Sequence, residues 1–148
     1  MNESFRKLGP ILLGLGLYFQ GIPPSWDFIY NVIKYRISEE KNKKLVKDLA
    51  DFLKEKGVDS SWALEIIEFF VFRIPSFCLD IAKDTVEDLI NKGTKPKTVV
   101  DFLNKVMTEY RMWIRHIEVY GRGFPSTSEI RILFSKLMDK IYKEMFEE

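Results

Sequence analysis

Residues 97–120 read KTVVDFLNKVMTEYRMWIRHIEVY, and this stretch decides the fold. Its apolar side chains recur at alternating intervals of four and three residues, a spacing that places them along one side of an α-helix. A second apolar residue beside several of them widens this seam, which is typical of a core-facing bundle helix. The seam consists of Val99, Leu103, Val106, Tyr110, Trp113, Ile117 and Tyr120, widened by Val100, Met107 and Ile114. We therefore predict a long core helix near 97–120.

Residues that start or end helices recur along the rest of the chain. Runs that alternate apolar and polar residues, typical of strands, do not recur, whereas capping residues, glycines and prolines fall at intervals suited to helices. Further helices are predicted from Ser25 to about 36, from Ser38 to 56, from 62 to 74, from Ser76 to 93, and after Ser126. Because the connections are short, consecutive helices should pack mostly antiparallel. The prediction is an all-α fold, a compact single-domain bundle of about five to seven helices over residues 1–148.

The composition is that of a folded globule with its own core. Hydrophobic residues make up 46% of the chain, aromatic residues 14% and charged residues 30%, and the formal net charge is +1. This balance disfavours disorder and gives no overall preference for nucleic acid or anionic membrane. Cys78 is the single cysteine, which excludes an internal disulfide and predicts a buried structural thiol in a reducing, cytoplasmic compartment. Abundant Lys, Glu, Ile and Phe favour a thermophilic source.

One apolar stretch near the N-terminus resembles a membrane segment. Leu8 to Phe19 follows Arg6 and Lys7, but it is shorter than the roughly 20 apolar residues that a bilayer core requires. Pro23 and the proline after it end the run, and no small-residue cleavage site follows it. We interpret this stretch as a buried N-terminal helix or arm and expect no stable membrane insertion.

Most catalytic and cofactor motifs are missing. His116 is the only histidine, which leaves no His-x-x-x-His zinc helix and no di-iron ligand set. No glycine-rich segment follows a strand or ends in Gly-Lys-Ser/Thr, so a phosphate loop is excluded. We expect no metal, no cofactor and a non-enzymatic role. Glu65 and Glu68, one turn apart in an apolar helix, are interpreted as its solvated or ion-paired strip rather than as an acid–base pair.

A basic stripe on the long helix is the candidate binding surface. It consists of Lys97, Lys105, Arg111, Arg115 and Arg122. Arg111 and Arg115 have no acidic residue at the four-residue spacing that would pair them within the helix. Such a stripe could contact a partner or follow a phosphate backbone. The favoured alternative is neutralisation by an acidic stripe on the preceding helix, formed by Asp80, Asp84, Glu87 and Asp88.

The helix predicted over 62–74 has almost no polar side. Only Glu65, Glu68 and Arg73 interrupt its apolar residues, so it must lie centrally or present apolar surface to another subunit. A homodimer is therefore one interpretation. Its interface candidates are Trp62, Ile66, Phe69, Phe70 and Phe72.

A short motif in the long helix suggests a different chemistry. Arg111 is followed by four residues and then by His116, and this pattern resembles the motif of HEPN-domain ribonucleases. The resemblance implies that the arginine and the histidine meet across a dimer interface and cleave RNA without a metal, the histidine moving a proton and the arginine stabilising charge. Met112 departs from the polar residue that this family places directly after the arginine.

Three functional interpretations follow from these residues. The favoured one is a non-enzymatic helical interaction or adaptor protein that binds a protein or a ribonucleoprotein assembly through a helix face, as a viral, plasmid or accessory subunit would. The first alternative is a nucleic-acid-binding subunit that uses the basic stripe on RNA or DNA. The second is the metal-independent ribonuclease, with Arg111 and His116 as its catalytic residues.

Overall fold

The computed structural model describes residues 23–120 and 123–147, with Tyr120 by its backbone alone. Within these ranges the chain is all-α and contains no strand, which confirms the predicted fold class. The six α-helices are α1 (Trp26–Arg36), α2 (Glu40–Glu55), α3 (Ser60–Glu68), α4 (Leu79–Asn91), α5 (Pro96–Tyr120) and α6 (Thr127–Phe146). The predicted long helix is α5. The predictions for Leu8 to Phe19 and for Arg122 lie outside the described residues.

The helix starts follow local capping chemistry. Ser25 accepts a hydrogen bond from the backbone N–H of Phe28 at 3.1 Å, and Ser126 accepts one from Glu129 at 3.2 Å. These contacts satisfy backbone donors that a first helical turn leaves open, as predicted for both serines. The predicted cap at Ser38 is wrong, because α2 begins one residue later and has Glu39 as its N-cap without a side-chain capping bond.

The first of two compact units ends at Arg73 and contains α1, α2 and α3. Its core is apolar because each helix turns one stripe of apolar side chains inward. The chain continues from α3 as a π-helical segment, Phe69–Arg73, which buries two phenylalanines. The buried core residues here include Ile29, Val32, Val46, Leu49, Leu53, Leu64, Ile66, Ile67 and Phe70.

The second unit starts at Ile74 and contains a short 3-10 turn, Ser76–Cys78, followed by α4, α5 and α6. The break predicted at Pro75 is present, since no α-helix crosses that proline. Arg131 of α6 reaches α4 with two hydrogen bonds to the Asp80 carboxylate, each 2.9 Å, and it also donates to the carbonyl oxygen of Phe77. The buried core includes Leu79, Val86, Leu89, Val99, Phe102, Leu103, Val106, Ile130, Phe134 and Ile141.

Each unit therefore has a core of its own, and a single domain over residues 1–148 stays a prediction. Among the described residues, no helix is both long enough and apolar enough to cross a membrane.

Candidate partner-binding site

Helix α5 is buried over only the first part of its length. Val99, Phe102, Leu103, Val106 and Met107 are buried, but no residue from 108 to 119 is. The predicted seam continues past this point in the sequence, and Tyr110, Trp113, Ile114 and Ile117 of that seam are half-buried. The second half of α5 therefore contributes less to the core than its periodicity predicts.

Four exposed residues on this second half form one continuous surface, the outer face, defined as Arg111, Met112, Arg115 and Val119. Since an α-helix turns by roughly 100° per residue, these positions fall within about one third of its circumference. The exposed fractions of Met112 and Val119 are 66% and 69%, among the highest of the large apolar residues described. Apolar and cationic side chains therefore alternate on one exposed surface.

The positive charge of the outer face comes from its two arginines, and the exposed Glu118 lies one turn beyond Arg115. Both arginines are exposed, and within residues 23–120 and 123–147 no carboxylate lies at ion-pair distance from either guanidinium. Arginine suits partner recognition because its planar group offers several donors in a fixed geometry and is weakly hydrated. The outer face thus presents two cations that can form charge-assisted hydrogen bonds with another molecule.

Three of the four carboxylates in the acidic stripe on α4 form ion pairs that do not involve α5. Asp80 pairs with Arg131, Glu87 pairs with Lys83 at 2.8 Å, and Asp88 pairs with Lys92 at 3.0 Å. The Arg131 hydrogen bonds hold the pKa of the Asp80 carboxyl below its ordinary value. The prediction that this stripe neutralises the basic stripe is therefore wrong for those three carboxylates, because closer cations on α4, just after it and on α6 occupy them.

The structure does not bring all the predicted basic residues together. Lys97 and Lys105 are exposed on the first half of α5, nearer its N-terminus. At 1.5 Å of rise per residue, Lys97 lies roughly 20 Å along the helix from Arg111. Lys105 lies roughly 9 Å along the helix from Arg111, so only Lys97 is far from the pair at the outer face, and a ligand that contacts Lys97 and that pair must be extended.

The ribonuclease resemblance requires Arg111 and His116 to meet in one site. Both side chains are exposed, and their spacing of five residues rotates them by roughly 140° from each other around the helix axis. Within one chain they therefore point to different sides of α5. A site that joins them needs a second chain, as the resemblance implies, and it stays a prediction.

The apolar segment predicted as an interface is mostly internal. Ile66, Phe69 and Phe70 are buried within their own chain and Trp62 is half-buried, whereas the exposed fraction of Phe72 is 55%. The guanidinium carbon of Arg36 lies 5.4 Å from the centre of the Phe72 ring, a cation–π distance. Most of the apolar excess of this segment is therefore used in the core, which leaves Phe72 as the exposed candidate.

Glu68 on α3 is half-buried, and the loss of hydration raises the pKa of its carboxyl above 4.5, with a further contribution from the nearby charge of Glu65. The folded protein therefore binds this proton more tightly than the unfolded chain does. The corresponding stability is fully present below the ordinary carboxyl pKa and is lost as the pH rises through the raised pKa.

We predict that Glu68→Gln, which carries no charge at any pH, becomes more stable relative to wild type as the pH rises from about 4 to 7. Urea unfolding across that range measures the difference in free energy of unfolding. Glu144→Gln removes an exposed carboxylate and should leave a curve parallel to that of wild type. A Glu68→Gln curve that is also parallel to wild type would mean that this carboxyl is fully hydrated in the folded protein.

Cys78 is a buried free thiol, as predicted. Burial raises the pKa of this thiol to about 11, against an opposing effect of the nearby Arg131 charge. The thiol therefore stays protonated at neutral pH, and a protonated thiol is a poor nucleophile. In the part of the chain that the structure describes, no three His, Cys, Asp or Glu residues are grouped as a metal site.

Comparisons with protein-family models, with curated proteins and with solved structures found no match to this chain.

Proposed function

We propose that this chain is a non-enzymatic interaction protein that binds a protein partner through the outer face of α5. One observation supports this most directly: Arg111 and Arg115 are exposed, with no carboxylate of the described residues at ion-pair distance, directly beside the exposed Met112 and Val119. Methionine and arginine are enriched in protein interfaces, where an apolar centre is combined with oriented charged contacts. A ribonucleoprotein assembly with a suitable protein component fits the same proposal.

The chemistry of the outer face defines the partner. Two guanidinium groups favour two carboxylates placed one helical turn apart, because i and i+4 positions on a helix match the spacing of Arg111 and Arg115. Met112 and Val119 favour apolar side chains between and beside those carboxylates. The expected partner segment is therefore an acidic amphipathic helix, bound with its apolar side against α5.

A displayed library of random peptides tests the proposal without a known partner. Selection on the wild-type protein, followed by removal of peptides that bind the variant Arg111→Glu with Arg115→Glu, should enrich acidic amphipathic sequences. We expect each enriched peptide, once synthesised, to bind the variant at least about tenfold more weakly than wild type, because like charges then oppose each other. Titration calorimetry measures the two dissociation constants.

The matched control is Lys97→Glu with Lys105→Glu, which reverses two exposed charges on the same helix outside the outer face. This variant should bind the enriched peptides within about twofold of wild type, since rim and remote charges contribute little to affinity. Circular dichroism on each variant checks the helical content. Equal binding to both double variants, or no enrichment at all, would contradict the proposal.

Two alternative functions give different outcomes with the same variants. A nucleic-acid-binding subunit follows an extended phosphate backbone, so both double variants should weaken binding to single-stranded RNA, and binding should fall steeply with salt. A metal-independent ribonuclease should cleave RNA in the presence of EDTA, and His116→Ala should abolish that cleavage with folding intact.

Three further expectations belong to the same proposal. A single cysteine favours a cytoplasmic location, and the composition favours a thermophilic source.

A homodimer would use Phe72, which is exposed beside Arg36. Light scattering on wild type and on Phe72→Ser gives the molar mass that decides whether this contact forms a dimer.

A further inference from the structure

A concave groove lies between α1 and α2 in the first unit, distant in sequence from the outer face of α5. It encloses about 390 Å³. This volume is within the range of roughly 300–1,000 Å³ that is usual for small-molecule sites in proteins. The lining residues are Tyr30, Asn31, Ile33, Lys34, Glu40, Lys43, Lys44 and Lys47.

The groove carries an excess of positive charge. Four lysines line it against a single glutamate, and that glutamate, Glu40, pairs with Lys43 at 3.2 Å. Lys47 pairs with Asp51, which lies just outside the lining, at 3.3 Å. For Lys34 and Lys44, no described carboxylate is at ion-pair distance. Lys34 of α1 and Lys44 of α2 therefore bring to the lining two ammonium groups without a described carboxylate partner. The Lys34 ammonium lies 5.6 Å from the centre of the Tyr35 ring.

One side of the groove is fixed by a tyrosine. The Tyr30 hydroxyl of α1 donates to the Asp51 carboxylate of α2 at 2.5 Å, and the Lys47 ammonium lies 6.0 Å from the centre of the Tyr30 ring. Burial and the bond to Asp51 raise the pKa of Tyr30 to about 12, so the hydroxyl stays neutral and keeps its proton for that bond. The buried Ile33 adds an apolar surface beside it.

We propose that this groove binds a small ligand that carries a di- or triphosphate group. Several negative charges on adjacent phosphates match a set of lysines better than a single carboxylate does, since each ammonium is a compact point charge with three donors. A concave site of this volume favours a small ligand over an extended nucleic-acid strand, which needs a longer track of cations. The apolar surface at Ile33 and Tyr30 can hold a nonpolar or aromatic part of such a ligand.

The test uses inorganic tripolyphosphate and adenosine triphosphate, each titrated into the 148-residue chain by calorimetry at about 0.15 M ionic strength. Lys34→Gln with Lys44→Gln removes the two uncompensated charges and should weaken tripolyphosphate binding by about tenfold or more. The matched control is Lys41→Gln with Lys54→Gln, two exposed lysines of α2 outside the groove. The control should stay within about twofold of wild type.

Removing the only glutamate of the groove lining should strengthen phosphate binding, which gives a second measurement of opposite direction. Glu40→Gln removes the carboxylate that holds Lys43, so tripolyphosphate should bind this variant about threefold more tightly than wild type. Circular dichroism checks that all variants keep their helical content. A variant that gains affinity also shows that the protein is folded at the groove.

The outcomes separate the ligand sources. Tighter binding of adenosine triphosphate than of tripolyphosphate identifies a nucleotide, and equal binding identifies the phosphate chain itself, each of which supports the proposal. Equal weakening by the groove and control variants, no binding of either phosphate compound, or binding of a 20-nucleotide RNA without binding of tripolyphosphate overturns it. The outer-face variants leave all groove residues intact, so this proposal and the proposed function can fail separately.

Discussion

Replacing Phe134 by alanine should lower the free energy of unfolding by about 3–5 kcal/mol, the range found when a large buried aromatic side chain is truncated. Phe134 of α6 is fully buried, and its ring meets the ring of Tyr110 on α5 edge-on, with centroids 6.0 Å apart. The substitution removes apolar contacts and leaves a cavity that the two neighbouring helices cannot fully close. Urea unfolding at 25 °C, followed by circular dichroism, measures the loss.

Ile132→Ala is the matched control for this substitution. The residue lies two positions earlier on the same helix, but the exposed fraction of its side chain is 58%. Truncation there should change the free energy of unfolding by no more than about 0.5 kcal/mol. Similar losses for the two variants would mean that α6 does not turn Phe134 toward the core.

A second large effect is expected in the first unit. Phe70→Ala in the π-helical segment should cost about 3–5 kcal/mol, because only 2% of this side chain is exposed. Phe72→Ala makes the same chemical change two residues later, where the side chain is mostly exposed. It should cost roughly 0.5–1 kcal/mol, mainly through loss of the contact with Arg36. Equal effects of the two substitutions would contradict the orientation of this segment.

The two core variants together test the domain organisation. Phe70 belongs to the unit that ends at Arg73, and Phe134 belongs to the unit that starts at Ile74. If the chain is one cooperative domain, each substitution shifts a single unfolding transition as a whole. If the units unfold independently, each substitution moves one of two transitions and leaves the other in place.

Features set by a few neighbouring residues could be predicted from the sequence. The capping bonds of Ser25 and Ser126 span three residues each, and the break at Pro75 follows from the missing backbone donor of proline. The seam of α5 identified the longest helix, because a period near 3.6 residues is a property of that segment alone. These local signals were sufficient for the all-α fold.

Features set by tertiary neighbours could not be predicted. The period of α5 continues through Trp113 and Ile117, although burial ends at Met107. Periodicity shows which side of a helix is apolar, but it does not show how far the neighbouring helices cover that side. The incomplete burial of Trp113 and Ile117 therefore appeared only in the structure, whereas Met112 and Val119 lie off the seam and are exposed as the period predicts.

The ion pairs could not be predicted from sequence spacing either. Asp80 pairs with Arg131, which lies 51 residues away on a helix that is not adjacent in sequence. On α2, helical spacing predicts pairs of Glu39 with Lys43 and of Glu40 with Lys44. In the structure Glu40 pairs with Lys43 instead, which leaves Lys44 without a carboxylate within the described part of the chain. Both lysines line the groove between α1 and α2, so this change of partner decides which of them has no carboxylate.

The division of the chain after Arg73 has a consequence for the order in which it folds. Helices α1, α2 and α3 follow one another directly in sequence and belong to one compact unit. Contacts between neighbouring segments form quickly, because little loop-closure entropy is lost in making them. During synthesis, this first unit can form before the ribosome has added the segment that contains α5 and α6, so its apolar stripes are covered before those of the second unit are made.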